Sequence, residues 1–354
     1  MTRPVDPDRL RMAVFDVYRK LGVCDDKAWL LADSLVMADL WGHSSHGVMR
    51  TGWYADRMAS KVMDVAAEPA VTVDTGPLIG MDGHNGIGQH ITNEAVEQVA
   101  ARAGTYGVAC VSIRRSGHFG TAMYFTKMLA ERNMIGFLAT NASPAMAPFG
   151  SREKLIGNNP QSWAAPTGLS APFILDISHT EVARGKIYLA KERGEAIPEN
   201  WALDQSGAPT TDPAQAILGT LLPMGGHKGF GLSAMMDVLS GILSGSAFGT
   251  DVNGPYVPDR PSGVGHFLYA IDIARLRELD DFTSDMQSMI ATWKASQTKS
   301  GVSEIFYPGE KEHRHHLGCL AEGLRLPADT VSNLVSLVKT SGLPLSEEDL
   351  FSVS

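Results

Sequence analysis

The chain has 354 residues, 44% of them hydrophobic and 19% charged, with 30 basic against 39 acidic side chains and a formal net charge of −9. That is a globular composition, long enough for two domains or one elaborated domain. The acidic balance, without any Lys/Arg-rich block, argues against a partner whose phosphates must be tracked, so nucleic acid is not expected.

The three cysteines, Cys24, Cys110 and Cys319, are far apart and form no CxxC pair. A reduced, intracellular chain is expected from that spacing. The charged N-terminus has no signal-peptide core, and no apolar run reaches about 18 residues, so the expectation is a cytoplasmic chain without a membrane span.

In chain order, "DDKAWLLADSLVMADLWG" opens with Asp25 or Asp26 as a helix cap. It carries Trp29, Leu30, Leu35, Val36 and Leu40 at helical spacing and stops at Gly42. Val48 to Met58 is expected to form a further helix, which leaves "WGHSSHGVMRTGWY" at a turn between two helices. Near residue 70 the pattern changes: "AVTVDTG" and "GVACVSIRRSGHFG" read as strands. Between them "TNEAVEQVAARAG" reads as a helix with Thr92 as N-cap and Gly104 as its stop. "MIGFLATNAS", "SWAAP" and "PFILDIS" add strands. "FGLSAMMDVLSGILSG" reads as a helix with Leu232, Met235, Met236, Leu239, Ile242 and Leu243 on one face. The Pro/Gly-rich stretch from Gly249 to Gly265 reads as an ordered excursion or lid. The tail, "PADTVSNLVSLVKTSG", is helical again.

Several familiar motifs fail. No GxGxxG follows a strand, so no Rossmann unit is expected. "GGHKGFG" has its lysine in the wrong place for a Walker loop. "EKEHRHH" fits no zinc spacing, and the His43/His46 pair lacks a third ligand, which leaves a metal-dependent hydrolase as a weak alternative. No GxSxG elbow appears to activate Ser44 or Ser45.

Four places still combine polar groups with glycines: "SSHGVMR", "SGHFG", "GNNPQSWAAP" with "FILDIS", and "LLPMGGHKGFG". Singly, His46 and His118 read as hydrogen-bonded turn histidines, Asp176 as a turn residue and Lys228 as a surface charge. Together they resemble something specific. "SHGVMR", "SGHFGTA", "NASPAMAPFGS", "GNNP", "LDISHTEVARGKI", "IPENWALDQSGAPTTDP", "LLPMGGHKGFGLSAMM", "GHFLYAID" and "YPGEKE" follow in order along nearly the whole chain. The set resembles the malate/L-lactate dehydrogenase family of non-Rossmann NAD(P)-dependent oxidoreductases, whose members include sulfolactate, ureidoglycolate and diketogulonate dehydrogenases and piperideine-2-carboxylate reductase.

The resemblance implies an α/β (α+β) fold. A non-Rossmann NAD(P)-binding mixed sheet with helices would occupy 73–295, and a mainly helical substrate and dimerisation part would come from 1–72 and 296–354. It implies a homodimer, NAD or NADP as cofactor, and a small carboxylate substrate. By position, His46, His118 and Asp176 would be catalytic. A histidine suits the proton step because its unperturbed pKa lies near working pH; the sequence leaves open which of the two moves the proton. Asp176 would hold one imidazole in the right tautomer. Arg50, with its fixed fork, would grip the substrate carboxylate, and Ser45 and Tyr54 would add hydrogen bonds, although Ser45 equally reads as a helix cap and Tyr54 as packing. Ser143, Asp176, Ile177, Ser178, His227, Lys228, Gly309 and Glu310 would line the cofactor. Arg114, Arg115 and Arg184 are candidates for reading a second anionic group on a malate- or sulfolactate-like substrate. His227 before Lys228 keeps reduction of a cyclic imino acid as the alternative.

Overall fold

The computed structural model describes residues 4–344. Helix α1 (Pro7–Lys20) is capped by Asp6, whose carboxylate accepts from the Asp8 and Arg9 N–H groups, with Pro7 pre-set for the first turn. Helix α2 (Asp25–Leu40) differs from expectation at its start. Cys24 is the N-cap and offers no side-chain bond, while Asp25 and Asp26 sit inside the first turn, where their charge complements the helix dipole. Two short 3₁₀ turns, Ser44–His46 and Val48–Arg50, lead into α3 (Thr51–Ala59).

Strands β1 (Ala70–Asp74), β2 (Leu78–Asp82) and β3 (Val108–Ser116) bracket α4 (Gly88–Tyr106). Thr92 is not the cap of α4. It lies one turn inside, with its hydroxyl donating to the Gly88 carbonyl at 2.8 Å, and the helix runs past Gly104 to Gly107, whose φ of 86° suits glycine. Helix α5 (Met123–Ala130) and strands β4 (Met134–Thr140), β5 (Gln161–Ala165) and β6 (Phe173–Ile177) follow. A small lobe built from α6 (Arg184–Arg193), β7 (Ala202–Leu203), α7 (Pro213–Leu218) and β8 (Thr220–Leu221) packs around Met146, Ile187 and Leu221. Then come α8 (His227–Asp237), β9 (Val264–Asp272), α9 (Leu279–Ala295), α10 (Glu310–Glu322) and α11 (Ala328–Thr340).

The seven-stranded sheet has the order β1-β2-β3-β9-β4-β5-β6. Only β2 and β3 run parallel; the other neighbours are antiparallel. A Rossmann sheet is parallel, so the pairing itself sets this fold apart. Directions alternate such that the C-terminal ends of β3, β4 and β6 meet at one edge, where β9 begins. The register fixes this: Ser116 faces Val264, Thr140 faces His266, and Gln161 lies between Ala139 and Ile177. The loops after His118, Ser143 and Asp176 therefore leave the sheet side by side.

One face of the sheet is covered by α4 and α5, with Ile91, Ala95 and Val99 against Val111, Ile113, Leu268 and Ala270. The other face, Phe137, Ala139, Phe267 and Tyr269, lies under Met236 of α8. Here the expected apolar helix face is split: Met236 and Leu239 pack on the sheet, and the rest of the stripe turns outward. Met235, Ile242 and Leu243 are 51%, 54% and 58% exposed, whereas Ser233, Asp237 and Ser240 point inward. Hydrogen bonds and close approach choose the inner face: Asn159 Nδ2 donates to the Ser233 carbonyl at 2.9 Å, and Asn141 Nδ2 to Asp237 Oδ1 at 2.9 Å. The Ser240 carbonyl approaches Gly265 so closely that no side chain fits there. The α-helix also loosens into a π turn over Val238–Ile242.

Helices from both chain ends share one core. Leu10, Val14 and Val17 of α1 and Leu31, Leu35 and Val36 of α2 pack with Tyr54, Cys319, Leu324, Leu334 and Val338. Val5 and Leu324 exchange backbone hydrogen bonds of 2.8 and 2.9 Å. The excursion before β9 is tied down: Gly249 N–H donates to Asp237 Oδ2 at 3.0 Å, and the buried Arg57 of α3 reaches Ser262 Oγ at 2.9 Å and the Val257 carbonyl. Among the described residues no helix is long and apolar enough to cross a membrane.

Candidate active site

The turn after α2 is held from below by Asp39. Its carboxylate, 2% exposed, accepts the Val48 N–H at 2.8 Å. A Cβ on Gly47 would occupy the space of that carboxylate, so glycine is required between His46 and Val48. Burial pushes the Asp39 carboxyl up to about 7, against hydrogen bonds from Val48 and Ser44 that pull it down. On this support His46 Nδ1 lies 2.9 Å from Ser45 Oγ. Arg50 Nε donates to the Ser45 carbonyl at 2.6 Å, and its guanidinium lies 3.6 Å from the Trp53 ring centre. The fork is thus pinned at its base, and no carboxylate among the described residues pairs with it.

His118 comes from the loop after β3. Gly88, at the start of α4, packs so tightly on the Gly117 and His118 carbonyls that a Cβ would collide with both. His118 Nδ1 accepts the Gly120 N–H at 3.2 Å and lies 2.6 Å from the Tyr54 hydroxyl. A nitrogen that accepts an amide proton carries none itself, so Tyr54 donates and the proton of neutral His118 resides on Nε2. The His46 and His118 rings are stacked, centres 5.7 Å apart and planes 14° from parallel. Burial, then the charges of Arg50 and His43, pull His46 down to about 4. Burial, then the charges of His46 and Arg50, pull His118 well below the usual histidine range.

Asp176 is not bonded to either of these histidines. Its Oδ2 accepts from Thr121 Oγ1 and from the Met123 N–H, both at 2.8 Å. Thr121 Oγ1 in turn lies 3.2 Å from His43 Nδ1, and His43 Nε2 lies 3.9 Å from Glu312. Since the Thr121 hydroxyl proton goes to Asp176, its oxygen accepts from His43. Asp176 therefore acts on His43, the other histidine of the opening motif. Burial alone would lower the His43 pKa, but Glu312 and Asp176 raise it overall.

His266 is a group the sequence reading did not single out. It is fully buried, with Nδ1 2.8 Å from Thr140 Oγ1 and Nε2 2.7 Å from Ser116 Oγ, so it laces together the strand ends behind His118. Its only sequence signal was an otherwise apolar strand, "GHFLYAID", interrupted by one histidine. Arg114 and Arg115 are pinned to the buried Asp82, which leaves them structural.

The expected coenzyme residues divide into two groups. Ser143 and Ser178 follow β4 and β6, with their hydroxyls 3.4 Å from Tyr256 and 3.3 Å from Thr180, while Ile177 pairs with Gln161 in the sheet. His227 and Lys228 open α8, exposed, behind Gly225 and Gly226 at φ 58° and 67°. That helix start has no side-chain cap, and an open terminus beside a lysine fits a phosphate. His227 contacts Phe149, with ring centres 5.8 Å apart. Gly309 wedges against the start of β6, and Glu310 is taken up by Lys294 and Arg314, each at 2.7 Å, so this turn braces the strand that carries Asp176. Among the described residues no three His, Cys, Asp or Glu side chains gather as a metal-binding group.

Two neutral histidines near an anchored arginine supply what hydride exchange with an oxo acid asks of a protein. With His118 carried by a mixed, non-Rossmann sheet and His46 and Arg50 by the turn after α2, the molecule stands among dehydrogenases that use a nicotinamide coenzyme without a Rossmann fold. The chain belongs to the malate/L-lactate dehydrogenase family, whose model matches residues 5–335.

It is 36% identical to malate dehydrogenase of Pyrococcus abyssi over 87% of this chain and 86% of that one. It is 34% identical to (2R)-3-sulfolactate dehydrogenase (NADP(+)) of Chromohalobacter salexigens, covering 89% and 92%. Ureidoglycolate dehydrogenase (NAD(+)) of Escherichia coli O157:H7 matches at 33%, covering 89% and 90%. The solved sulfolactate dehydrogenase of Methanocaldococcus jannaschii superposes with a TM-score of 0.93 at 33% identity, covering 99% of this chain and 100% of that one. The chain is accordingly an NAD(P)-dependent dehydrogenase.

Proposed function

We propose that the chain exchanges hydride between NAD(P) and a small 2-hydroxy/2-oxo acid bearing a second polar or anionic group, malate- or sulfolactate-like. The stacked His46–His118 pair beside the pinned Arg50 fork is the observation that carries this reading. The helical part brings His46 and Arg50, and the sheet brings His118 and the coenzyme. When bound, the coenzyme supplies or accepts the hydride; Ser143, Ser178 and Lys228 hold it.

Arg50 grips the substrate carboxylate. His118, fixed as the Nε2–H tautomer by Gly120 and Tyr54, donates a hydrogen bond to the substrate oxygen. His46 takes the hydroxyl proton in oxidation and returns it in reduction. Free, it is held low partly by the Arg50 charge; a carboxylate on Arg50 neutralises that charge and brings His46 closer to working pH. The chain in this way couples substrate recognition to the readiness of its base.

The supporting experiment is a coenzyme absorbance assay with NADH and NADPH against oxaloacetate, pyruvate, sulfopyruvate, a ureido-oxo acid, diketogulonate and cyclic imino acids. Turnover of a linear oxo acid supports the reading. Turnover of cyclic imines alone would replace it with imine reduction.

The proposal includes a homodimer. Met235, Ile242 and Leu243 on the outward face of α8 and its π turn form an apolar stripe of the kind subunit interfaces cover. Sedimentation showing only monomer at micromolar concentration would refute it.

A further inference from the structure

We propose that His266 is a positioning residue for the hydride-transfer step: it holds the loop that carries His118 in fixed register with the loop that carries Ser143. The inference rests on the roles proposed above for His118 and Ser143, in which His266 takes no part.

Strand β9 lies between β3 and β4, and His266 pairs with Ile113 on one side and Thr140 on the other. Its ring is fully buried. Burial pulls its pKa down to about 3, against the backbone of Gly265 and Gly117, so the ring is neutral and has one proton to give. The Thr140 hydroxyl donates to the Gly265 carbonyl at 3.1 Å or the Asn141 carbonyl at 3.2 Å. Its oxygen, 2.8 Å from Nδ1, therefore accepts from His266. Nε2 then carries no proton and accepts from the Ser116 hydroxyl at 2.7 Å. One imidazole is thus bonded to both neighbouring strands, as donor to β4 and acceptor from β3. An apolar side chain at this position would make neither bond.

On the β3 side the grip falls on both flanks of His118. Ser116 lies just before it, and the ring of Phe119, just after it, meets the His266 ring edge-on with centres 4.7 Å apart. Phe119 is itself buried and packs on Phe125, ring centres 5.5 Å apart. Strand β3 needs this grip, because its register with β9 shifts between Ile113 and Ser116, where Arg115 has a φ of 51°. Such an irregularity re-aims a strand end, and the ladder no longer dictates where it points. On the β4 side, Thr140 leads through Asn141 to Ser143. Asn141 is held in turn by Asp237 and by the Gly265 N–H, at 2.9 and 3.0 Å. One ring therefore ties the segment that presents the substrate's hydrogen-bond donor to the segment that holds the coenzyme. Hydride transfer is sensitive to that spacing: a misplacement of about 1 Å costs about 10²-fold.

The test compares Ser116→Ala and Thr140→Val, which each remove one bond, with His266→Phe, which keeps a flat ring without either bond, and His266→Gln, which restores one donor and one acceptor. Stopped-flow single turnovers with reduced coenzyme and the linear oxo acid that the wild type reduces give two quantities. The rate constant reports hydride transfer, and the amplitude reports the fraction of competent sites. Ser116→Ala, Thr140→Val and His266→Phe should lower the rate constant by about tenfold to about a hundredfold, with amplitude and coenzyme affinity retained. His266→Gln should recover most of the loss. A lower amplitude at an unchanged rate constant would make His266 a structural support alone and overturn the inference. So would weaker coenzyme binding at an unchanged rate constant. If His266→Phe melts too low to assay, the two single-bond variants decide. In the coenzyme-free chain, ring ¹⁵N spectra should place the His266 proton on Nδ1; a proton on Nε2 would overturn the pairing and the inference with it. A wild type that binds coenzyme and reduces no linear oxo acid would refute the functional reading itself, and the positioning role with it.

Discussion

Asp39→Asn tests whether the site stands on a buried carboxyl. The folded-state pKa of Asp39 is raised from 3.8 to about 7. Below the lower value both folded and unfolded states hold the proton, and stability is unaffected. As pH rises between the two values the unfolded chain releases its proton and the folded chain keeps it, so stability falls with pH and the loss is complete above the higher value. About three pKa units correspond to about 4 kcal/mol. Asparagine keeps an oxygen for the Val48 N–H and has no charge to bury. The assay is urea unfolding of wild type and variant from about pH 4 to about pH 8, followed by tryptophan fluorescence. Other titrating groups, including the low-pKa His46, His118 and His266, cancel in the difference between the two proteins. The variant should gain on the wild type by up to about 4 kcal/mol across that range. A difference that stays flat with pH would refute the reasoning, since it would mean that Asp39 is solvated or carries a paired charge.

His46→Ala should lower turnover by roughly 10²–10⁴-fold while coenzyme affinity, read by fluorescence, is retained; near-normal turnover would move the proton step to His118. Arg50→Lys keeps the charge and loses the fork, so KM for the acid should rise about tenfold or more with little change in coenzyme binding. In the oxidative direction kcat/KM should fall as pH drops through the free-enzyme value of His46, about 4, whereas the limb of kcat should lie higher, because substrate carboxylate offsets Arg50. Coincident limbs would exclude that coupling. Tyr54→Phe removes one of two donors to His118 Nδ1 and frees it to take a proton, so kcat should drop with the melting temperature little changed; an unaltered kcat would show that Gly120 alone fixes the tautomer.

The sequence made some of this legible for clear reasons. Helix α2 and strands β3 to β6 have strong local patterns, and the polar clusters announce the site because they interrupt apolar runs. Strand β9 went unread: both its faces are buried, so Phe267, Leu268, Tyr269 and Ala270 give no alternation, and its neighbours β3 and β4 are far away in sequence. The outer face of α8 misled for a related reason, since periodicity shows that a stripe exists and not which side it faces. The partner of Asp176 was beyond spacing rules, because Thr121 intervenes between it and His43. Gln89 gave no local signal either, although its fully buried amide lies in the first turn of α4, next to the Gly88 that packs on His118.

The exchange of hydrogen bonds between Val5 and Leu324, and the core that α1 and α2 share with Leu334 and Val338, has a consequence for how the molecule is made. His46 and Arg50 leave a ribosome well before Leu334 and Val338, which complete their core. The platform for the acid/base group stays unfinished through most of synthesis, while the strands bearing His118 and Asp176 already have their partners by the time β9 is complete. Maturation is thus closed by contacts of the greatest sequence separation, which form slowly. Chains released before α11 is made should keep a sheet and lack a catalytic centre.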